Sequence, residues 1–92
     1  MSDDLKWLVG GVLIGMRALA PYGVRLSAAP ARRHGVLRVS VAADGVEVSA
    51  EVDGVRLYRW LDSGAASWEL LLANLRRREA QQNGGMKQLD LF

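Results

Sequence analysis

The sequence predicts an α+β domain made of an N-terminal helix, a three- or four-stranded antiparallel meander and a C-terminal helix, followed by a flexible C-terminal tail. Three observations lead to this prediction. Apolar residues recur at helical spacing from Leu5 to Leu19, two Asp-Gly pairs lie among alternating apolar residues, and a second helical stripe begins at Trp68. The chain has 92 residues, half of them apolar, which is enough for one domain with a thin core.

The first helix begins after Ser2 or Asp3, either of which can cap it, and it ends before Pro21. Its core stripe consists of Leu5, Leu8, Val9, Val12, Leu13, Met16 and Leu19. The opposite side has almost no polar residue beyond Lys6 and Arg17. Because a helix that is apolar nearly all round is buried on two sides, we expect this helix to be covered on both.

The glycines of the first helix have two interpretations. Gly10, Gly11 and Gly15 either let the helix lie close on its own sheet or form a face for self-association. The second interpretation rests on the close approach that small residues four apart allow between two helices. It would make the protein a homo-oligomer through its first helix.

The composition also bears on location. The apolar run from Trp7 to Met16 is about ten residues long, whereas a membrane span needs roughly twenty. Asp3 and Asp4 precede this run, which is the wrong charge for a signal peptide. The absence of cysteine from the sequence suits a reducing compartment. We therefore expect no membrane association and a cytoplasmic protein.

Two hairpins are predicted, with turns at Asp44-Gly45 and Asp53-Gly54, because Asp-Gly between alternating apolar residues is the strongest short-range sign of a two-residue turn. The pairs expected across the first turn are Val41 with Val48, Val39 with Ala50, and Leu37 with Val52. The pairs expected across the second turn are Val52 with Val55 and Ala50 with Leu57. All of these side chains fall on one face of the sheet.

The opposite face of the same strands carries charges. Arg38, Glu51 and Arg56 form a ladder in which opposite charges lie across each strand pair. Residues Tyr22 to Ala28 are expected to supply a further strand before the first hairpin. The meander therefore has three or four strands.

The C-terminal helix is capped by Ser63 or Ser67. Its core stripe consists of Trp68, Leu71, Leu72 and Leu75. A polar, glycine-bearing stretch follows at 81–85 and is typical of a linker. The expected organisation is a domain over residues 1–80, a flexible linker over 81–85 and a peptide tail over 86–92.

The sequence lacks the side chains that most catalytic and metal sites require. It has no cysteine, and His34 is its only histidine. Zinc sites need three or four converging ligands, and a Ser-His-Asp site needs a supported histidine base. We therefore expect no enzyme, no catalytic residue, no metal site and no cofactor.

Basic residues form two groups that have two interpretations each. The formal charge is only +2, yet ten of the twelve Lys and Arg residues are arginines, which bind phosphate with a two-pronged fork. The two groups are the loop pair Arg32 and Arg33, and the triplet Arg76, Arg77 and Arg78, expected in the last turns of the C-terminal helix. Both groups could contact DNA phosphates. The alternative is a solvated face, because three consecutive helical residues fan over about 200°.

The last five residues are Gln88-Leu89-Asp90-Leu91-Phe92. They resemble the peptide by which bacterial replication and repair proteins bind the β sliding clamp, whose consensus is Gln, Leu, Ser or Asp, Leu, Phe. The match holds at all five positions. The resemblance implies a partner, the bacterial β sliding clamp, and an indirect association with DNA through that clamp. It implies neither a fold nor an activity.

The resemblance also implies a role for each of these residues. Gln88 would hydrogen-bond at one end of the clamp groove, Leu89 would pack along it and Asp90 would face its rim. Leu91 and Phe92 would fill its deep apolar pocket. Such an order suits a flexible peptide, because a few deeply buried anchors must offset the chain entropy lost on binding.

Two interpretations of function stay open. In the first, a small non-enzymatic protein brings its domain to the clamp as a replication or repair adaptor, or blocks polymerases there as an inhibitor, and a phage or mobile-element origin would be natural. In the second, a nucleic-acid-binding or self-associating structural domain has a tail that packs on its own core.

Overall fold

The computed structural model describes the backbone of residues 3–84 and the side chains of residues 5–82. Three helices and three strands make up this part of the chain. In order they are α1 (Asp3–Leu19), β1 (Arg25–Pro30), β2 (Val36–Ala43), β3 (Val46–Asp53), α2 (Gly54–Asp62) and α3 (Trp68–Gly84). The α+β architecture of helix, antiparallel meander and helix is confirmed. Within residues 3–84, no helix combines the length and apolar content that crossing a bilayer requires.

Helix α1 has the bounds that its capping residues and Pro21 predict. Leu8, Val12 and Met16 are buried, and Val9, Leu13 and Leu19 pack against them. The stripe at helical spacing therefore faces the core, as expected. Arg17 donates a hydrogen bond to the backbone oxygen of Val24 at 3.3 Å, which ties the end of the helix to the chain that leads into β1.

The sheet has the strand order β1-β2-β3, with both neighbouring pairs antiparallel. Asp44 and Gly45 both have positive φ, 54° and 78°, which is the backbone of a type I′ turn. The register across this turn is the predicted one, with Val41 opposite Val48, Val39 opposite Ala50, and Leu37 opposite Val52. The first hairpin is therefore confirmed. The strand predicted at 22–28 corresponds to β1, which begins three residues later, at Arg25.

The second Asp-Gly pair does not form a hairpin. Asp53 caps α2 instead, and its carboxylate accepts a hydrogen bond from the backbone N–H of Arg56 at 3.0 Å. The predicted pairs of Val52 with Val55 and of Ala50 with Leu57, and the ladder step from Glu51 to Arg56, are therefore wrong. An Asp that precedes Gly can cap a helix as readily as it can start a turn, and tertiary packing decides which of the two structures forms.

Packing at Gly54 favours the helix. Its backbone N–H donates to the oxygen of Gly35 at 2.8 Å, which binds the start of α2 to the loop before β2. A Cβ atom built on Gly54 would lie 2.6 Å from Cδ2 of Leu8 and 3.0 Å from Cγ of Leu37. Helix α2 therefore begins where β2, β3 and α1 meet, and Leu57, which follows one turn later, is buried in the core.

The sheet has one apolar face and one polar face. The apolar face supplies six buried residues to the core, namely Leu37, Val39, Val41, Val48, Ala50 and Val52. On the polar face Arg38 lies opposite Glu51, with a nitrogen-to-oxygen distance of 3.8 Å, and Ser40 donates to Ser49 at 3.0 Å. The first step of the predicted charge ladder is thus present.

Helix α3 is longer than predicted. The hydroxyl of Ser67 accepts a hydrogen bond from the backbone N–H of Leu70 at 3.2 Å, and Leu71 and Leu75 are buried in the core. The helix runs to Gly84, so residues 81–84, predicted as part of a linker, are helical. The arginine triplet at 76–78 consequently lies in the middle of α3 and not in its last turns.

Two glycines of α1 approach α2, a helix that the sequence did not predict. A Cβ atom at Gly11 would lie 2.8 Å from Cε1 of Tyr58, and one at Gly15 would lie 3.0 Å from Cδ1 of Leu61. The expectation that these glycines let α1 lie close on its own sheet is therefore wrong. Gly10 differs from both, because a Cβ atom there would have no neighbour within 4 Å.

We predict that Gly54→Ala destabilises the domain by about 1 to 3 kcal/mol, because the added methyl group would overlap Leu8 and Leu37. Gly10→Ala is the matched control, since it adds the same group to a helix where space is open. It should stabilise the domain by up to about 1 kcal/mol through helix propensity. Urea unfolding of both variants at low micromolar concentration measures the difference. Equal stabilities would contradict the close approach at Gly54.

Candidate functional site

The clamp-like residues Gln88, Leu89, Asp90, Leu91 and Phe92 lie outside the described residues. What the structure defines is the position of the helix that precedes this segment in the chain. Helix α3 runs alongside β3 in the same direction, with Glu79 beside Ser49 and Gln82 beside Glu51. The end of α3 at Gly84 therefore lies toward the C-terminal end of β3.

The last turns of α3 bind the outer edge of β3 through side chains. The carboxylate of Glu79 accepts a hydrogen bond from the N–H of Ser49 at 2.9 Å. The amide of Gln82 accepts from the N–H of Glu51 at 3.1 Å and donates to the oxygen of the same residue at 2.8 Å. These three bonds occupy backbone groups that another strand would otherwise pair with.

The five arginines considered as nucleic-acid contacts differ in their exposure. Arg32 and Arg33 are exposed in the loop between β1 and β2, and Arg76 and Arg77 are exposed on α3. Arg78 is only 2% exposed. Arg78 thus differs from Arg76 and Arg77 in its burial, and contact of these arginines with DNA stays a prediction.

Arg33 and Arg78 do meet at one cleft of about 360 Å³ between the β1–β2 loop, β3 and α3. The residues that line this cleft are Arg33, His34, Val36, Glu51, Val52, Asp53 and Arg78. Two carboxylates, those of Glu51 and Asp53, face two arginines there. The cleft is thus close to electrically neutral, which makes it a poor attractor for nucleic acid.

Burial lowers the pKa of the Arg78 guanidinium, and the positive charge of Arg56 lowers this pKa further, whereas the carboxylate of Asp53 raises it. Arginine nevertheless stays protonated in proteins, so Arg78 brings a positive charge into the edge of the core. Its long apolar stem also packs there. We interpret Arg78 as a structural residue that joins α3 to the cap of α2.

Helices α1 and α2 form a second concave surface, which we call the α1–α2 groove, of about 540 Å³. Its lining residues are Lys6, Trp7, Gly10, Gly11, Ile14, Gly15, Tyr58, Leu61 and Asp62. Trp7 is 63% exposed and Ile14 is 73% exposed, and the ring of Trp7 lies 5.0 Å from that of Tyr58 between centroids. The expectation that α1 is covered on both sides therefore holds only in part, because α2 covers Gly11 and Gly15 whereas Trp7 and Ile14 are exposed.

The sequence alone indicates one of the two walls of the groove. It shows that the second side of α1 is apolar, but the hairpin predicted at Asp53-Gly54 makes a strand of the residues that follow, so the second wall is missed. The residues from Gly54 onward place Leu57 and Leu61 four apart, which is helical spacing. Helix α2 has only nine residues and covers the glycine side of α1, so Trp7 and Ile14 are exposed to solvent.

Among the described side chains, those of residues 5–82, no group of three or more His, Asp or Glu is placed to hold a metal ion. The candidate sites are thus the segment after α3, the neutral cleft around Arg78 and the α1–α2 groove. The chain matches no protein-family model, no curated protein and no solved structure.

We predict that Arg78→Ala destabilises the domain by about 2 kcal/mol or more, because it removes a buried stem and leaves a cavity at the edge of the core. Arg77→Ala, its exposed neighbour on the same helix, should change stability by no more than about 0.5 kcal/mol. Thermal or urea unfolding of the two variants measures this. Equal effects of the two substitutions would mean that Arg78 is a surface residue like its neighbours.

Proposed function

We propose that this protein binds the bacterial sliding clamp through Gln88, Leu89, Asp90, Leu91 and Phe92. It acts in the cytoplasm as a small non-enzymatic adaptor or inhibitor of replication or repair. The observation that carries the proposal is the match of these residues, at all five positions, to the clamp-binding consensus. At ordinary residue frequencies, a chain of this length should show such a match by chance about once in several thousand sequences.

The packing of the domain supports a tail that serves a partner. All buried apolar residues in the described part of the chain lie between Leu8 and Leu75. The edge of β3 is also occupied, by Glu79 and Gln82, so the tail is not needed as an additional strand on that side. Among the described residues, the core and this edge are thus both formed before Gly84.

The expected affinity is moderate. Each fully buried Leu or Phe side chain contributes roughly 1.5 to 3 kcal/mol, and ordering a flexible peptide offsets part of the sum. Three such side chains, Leu89, Leu91 and Phe92, contribute about 4.5 to 9 kcal/mol before that offset, so we expect a dissociation constant in the micromolar range or weaker, where 1 µM corresponds to about −8 kcal/mol. A ligand of this strength exchanges with polymerases that use the same clamp groove.

Leu91→Ala combined with Phe92→Ala should weaken clamp binding by about 100-fold or more, because both deep-pocket anchors are lost. Asp90→Ser is the matched control in the same segment, and it should leave affinity nearly unchanged because the consensus admits either residue. Gln88→Ala should weaken binding by about tenfold at most, as one partly solvated hydrogen bond is removed. Calorimetry with a purified bacterial clamp measures all three variants.

The same titrations should include a free peptide of residues 86–92, which separates the tail from the domain. If neither this peptide nor the intact protein binds the clamp at tens of micromolar, the proposed function is wrong. Binding that survives the double alanine variant would equally exclude the assigned anchors.

Removal of residues 86–92 should shift the melting temperature by less than about 2 °C, because the core that the described residues form is built from apolar side chains between Leu8 and Leu75. Differential scanning calorimetry of the shortened and intact chains measures the shift. A loss of several degrees would show that the tail packs on its own domain, which is the structural alternative to clamp binding.

A further inference from the structure

We propose that the α1–α2 groove binds the same groove of a second copy of this chain, with the two α1 helices antiparallel about a two-fold axis. This inference does not depend on clamp binding, because it rests on residues between Lys6 and Asp62. Three properties of the groove support it: its exposed apolar side chains, its shape and the charges at its two ends.

The apolar content is the first property. Trp7 and Ile14 stand one above the other on the outer side of α1, two turns apart, and both are more than half exposed. Tyr58 and Leu61 of α2 continue the same surface. Exposed clusters of large aromatic and aliphatic side chains mark interaction sites on small proteins. Tryptophan is among the residues most enriched at the binding hot spots of such sites.

The shape of the groove is the second property, and it fits its own copy. Ile14 projects from α1, whereas Gly10, one turn earlier, leaves open space where its Cβ would lie. A two-fold axis between these positions would place Ile14 of each copy over Gly10 of the other. Gly10 and Ile14 are separated by about 6 Å along the helix, so both insertions can form at once.

The charges are the third property. Helices α1 and α2 run in the same direction along the groove, because Leu8 packs at Gly54, Gly11 at Tyr58 and Gly15 at Leu61. Lys6 consequently lies at one end of the groove and Asp62 at the other.

A second copy related by a two-fold axis would bring its Asp62 to the Lys6 end, and its Lys6 to the Asp62 end. An isologous interface requires this kind of self-complementary surface. An unrelated apolar peptide would leave the opposite charges at the two ends unused. Shape and charge therefore point to a second copy as the occupant.

Sedimentation equilibrium of the full chain, which has a mass of 10.0 kDa, tests the proposal directly. We expect a monomer–dimer equilibrium with a dissociation constant below about 100 µM. Ile14→Glu should raise this constant by about tenfold or more, because it places a charge at the centre of the contact. Leu70→Glu is the matched control, as Leu70 is a 51% exposed apolar residue on α3, away from the groove, and it should change the constant by less than about twofold.

A charge exchange tests the antiparallel arrangement. Lys6→Glu and Asp62→Lys, each alone, should weaken the dimer by about threefold or more, and the double variant should recover most of the loss. Recovery would identify a contact between copies, since the two side chains lie at opposite ends of the groove within one copy. Circular dichroism and thermal unfolding establish that each variant is folded.

Three results would overturn the proposal. The first is an intact chain that stays monomeric at several hundred micromolar. The second is a dimer that Ile14→Glu leaves intact or that Leu70→Glu weakens equally. The third is a charge exchange whose double variant is no better than the single ones, which would exclude the two-fold antiparallel contact. None of these results affects the clamp titrations with the free tail peptide, so failure of one proposal is distinguishable from failure of the other.

Discussion

The close approach of three elements at Gly54 is the constraint on which the rest of the fold depends. Leu8 of α1 and Leu37 of β2 both lie against the backbone of this residue, and its N–H binds the loop at Gly35. The chain therefore turns from β3 directly into α2 without a connecting loop. This turn sets the position of α2 along α1, and with it the contacts of Gly11 and Gly15. A larger side chain at Gly54 would separate the sheet from both helices.

Local signals in the sequence were sufficient for much of the architecture. The apolar stripe of α1 and the Asp44-Gly45 turn predict their elements correctly, because periodicity and turn chemistry act over a few residues. The second Asp-Gly pair failed for a reason that is not local. Asp53 can start a turn or cap a helix, and contacts with Leu8 and Leu37, distant in sequence, decide which one forms. The predicted end of α3 is also too early, because Gln82 is bonded to the edge of β3, a contact between residues distant in sequence.

The candidate sites differ in how much of each can be predicted from the sequence alone. The segment at 88–92 is a linear motif, so its residues are adjacent and can be recognised without a fold. The arginine triplet is also adjacent, but only the helix phase shows that Arg78 points inward while Arg76 and Arg77 do not. The α1–α2 groove required both walls to be known. One wall comes from α2, whose existence depends on Asp53 acting as a cap, and so an error at a single residue concealed the whole surface.

The hydrogen bonds between α3 and β3 have a mechanical consequence. Glu79 and Gln82 are side chains of a helix, yet they fasten the edge of a strand, and the chain continues from that helix beyond Gly84. Tension applied to that continuation is transmitted first to Gln82 and then, one turn back, to Glu79. The two attachments would therefore break one after the other, that of Gln82 before that of Glu79. A load on the end of the chain would expose the backbone of Glu51 before that of Ser49, while the buried Leu71 and Leu75 still anchor the helix to the core.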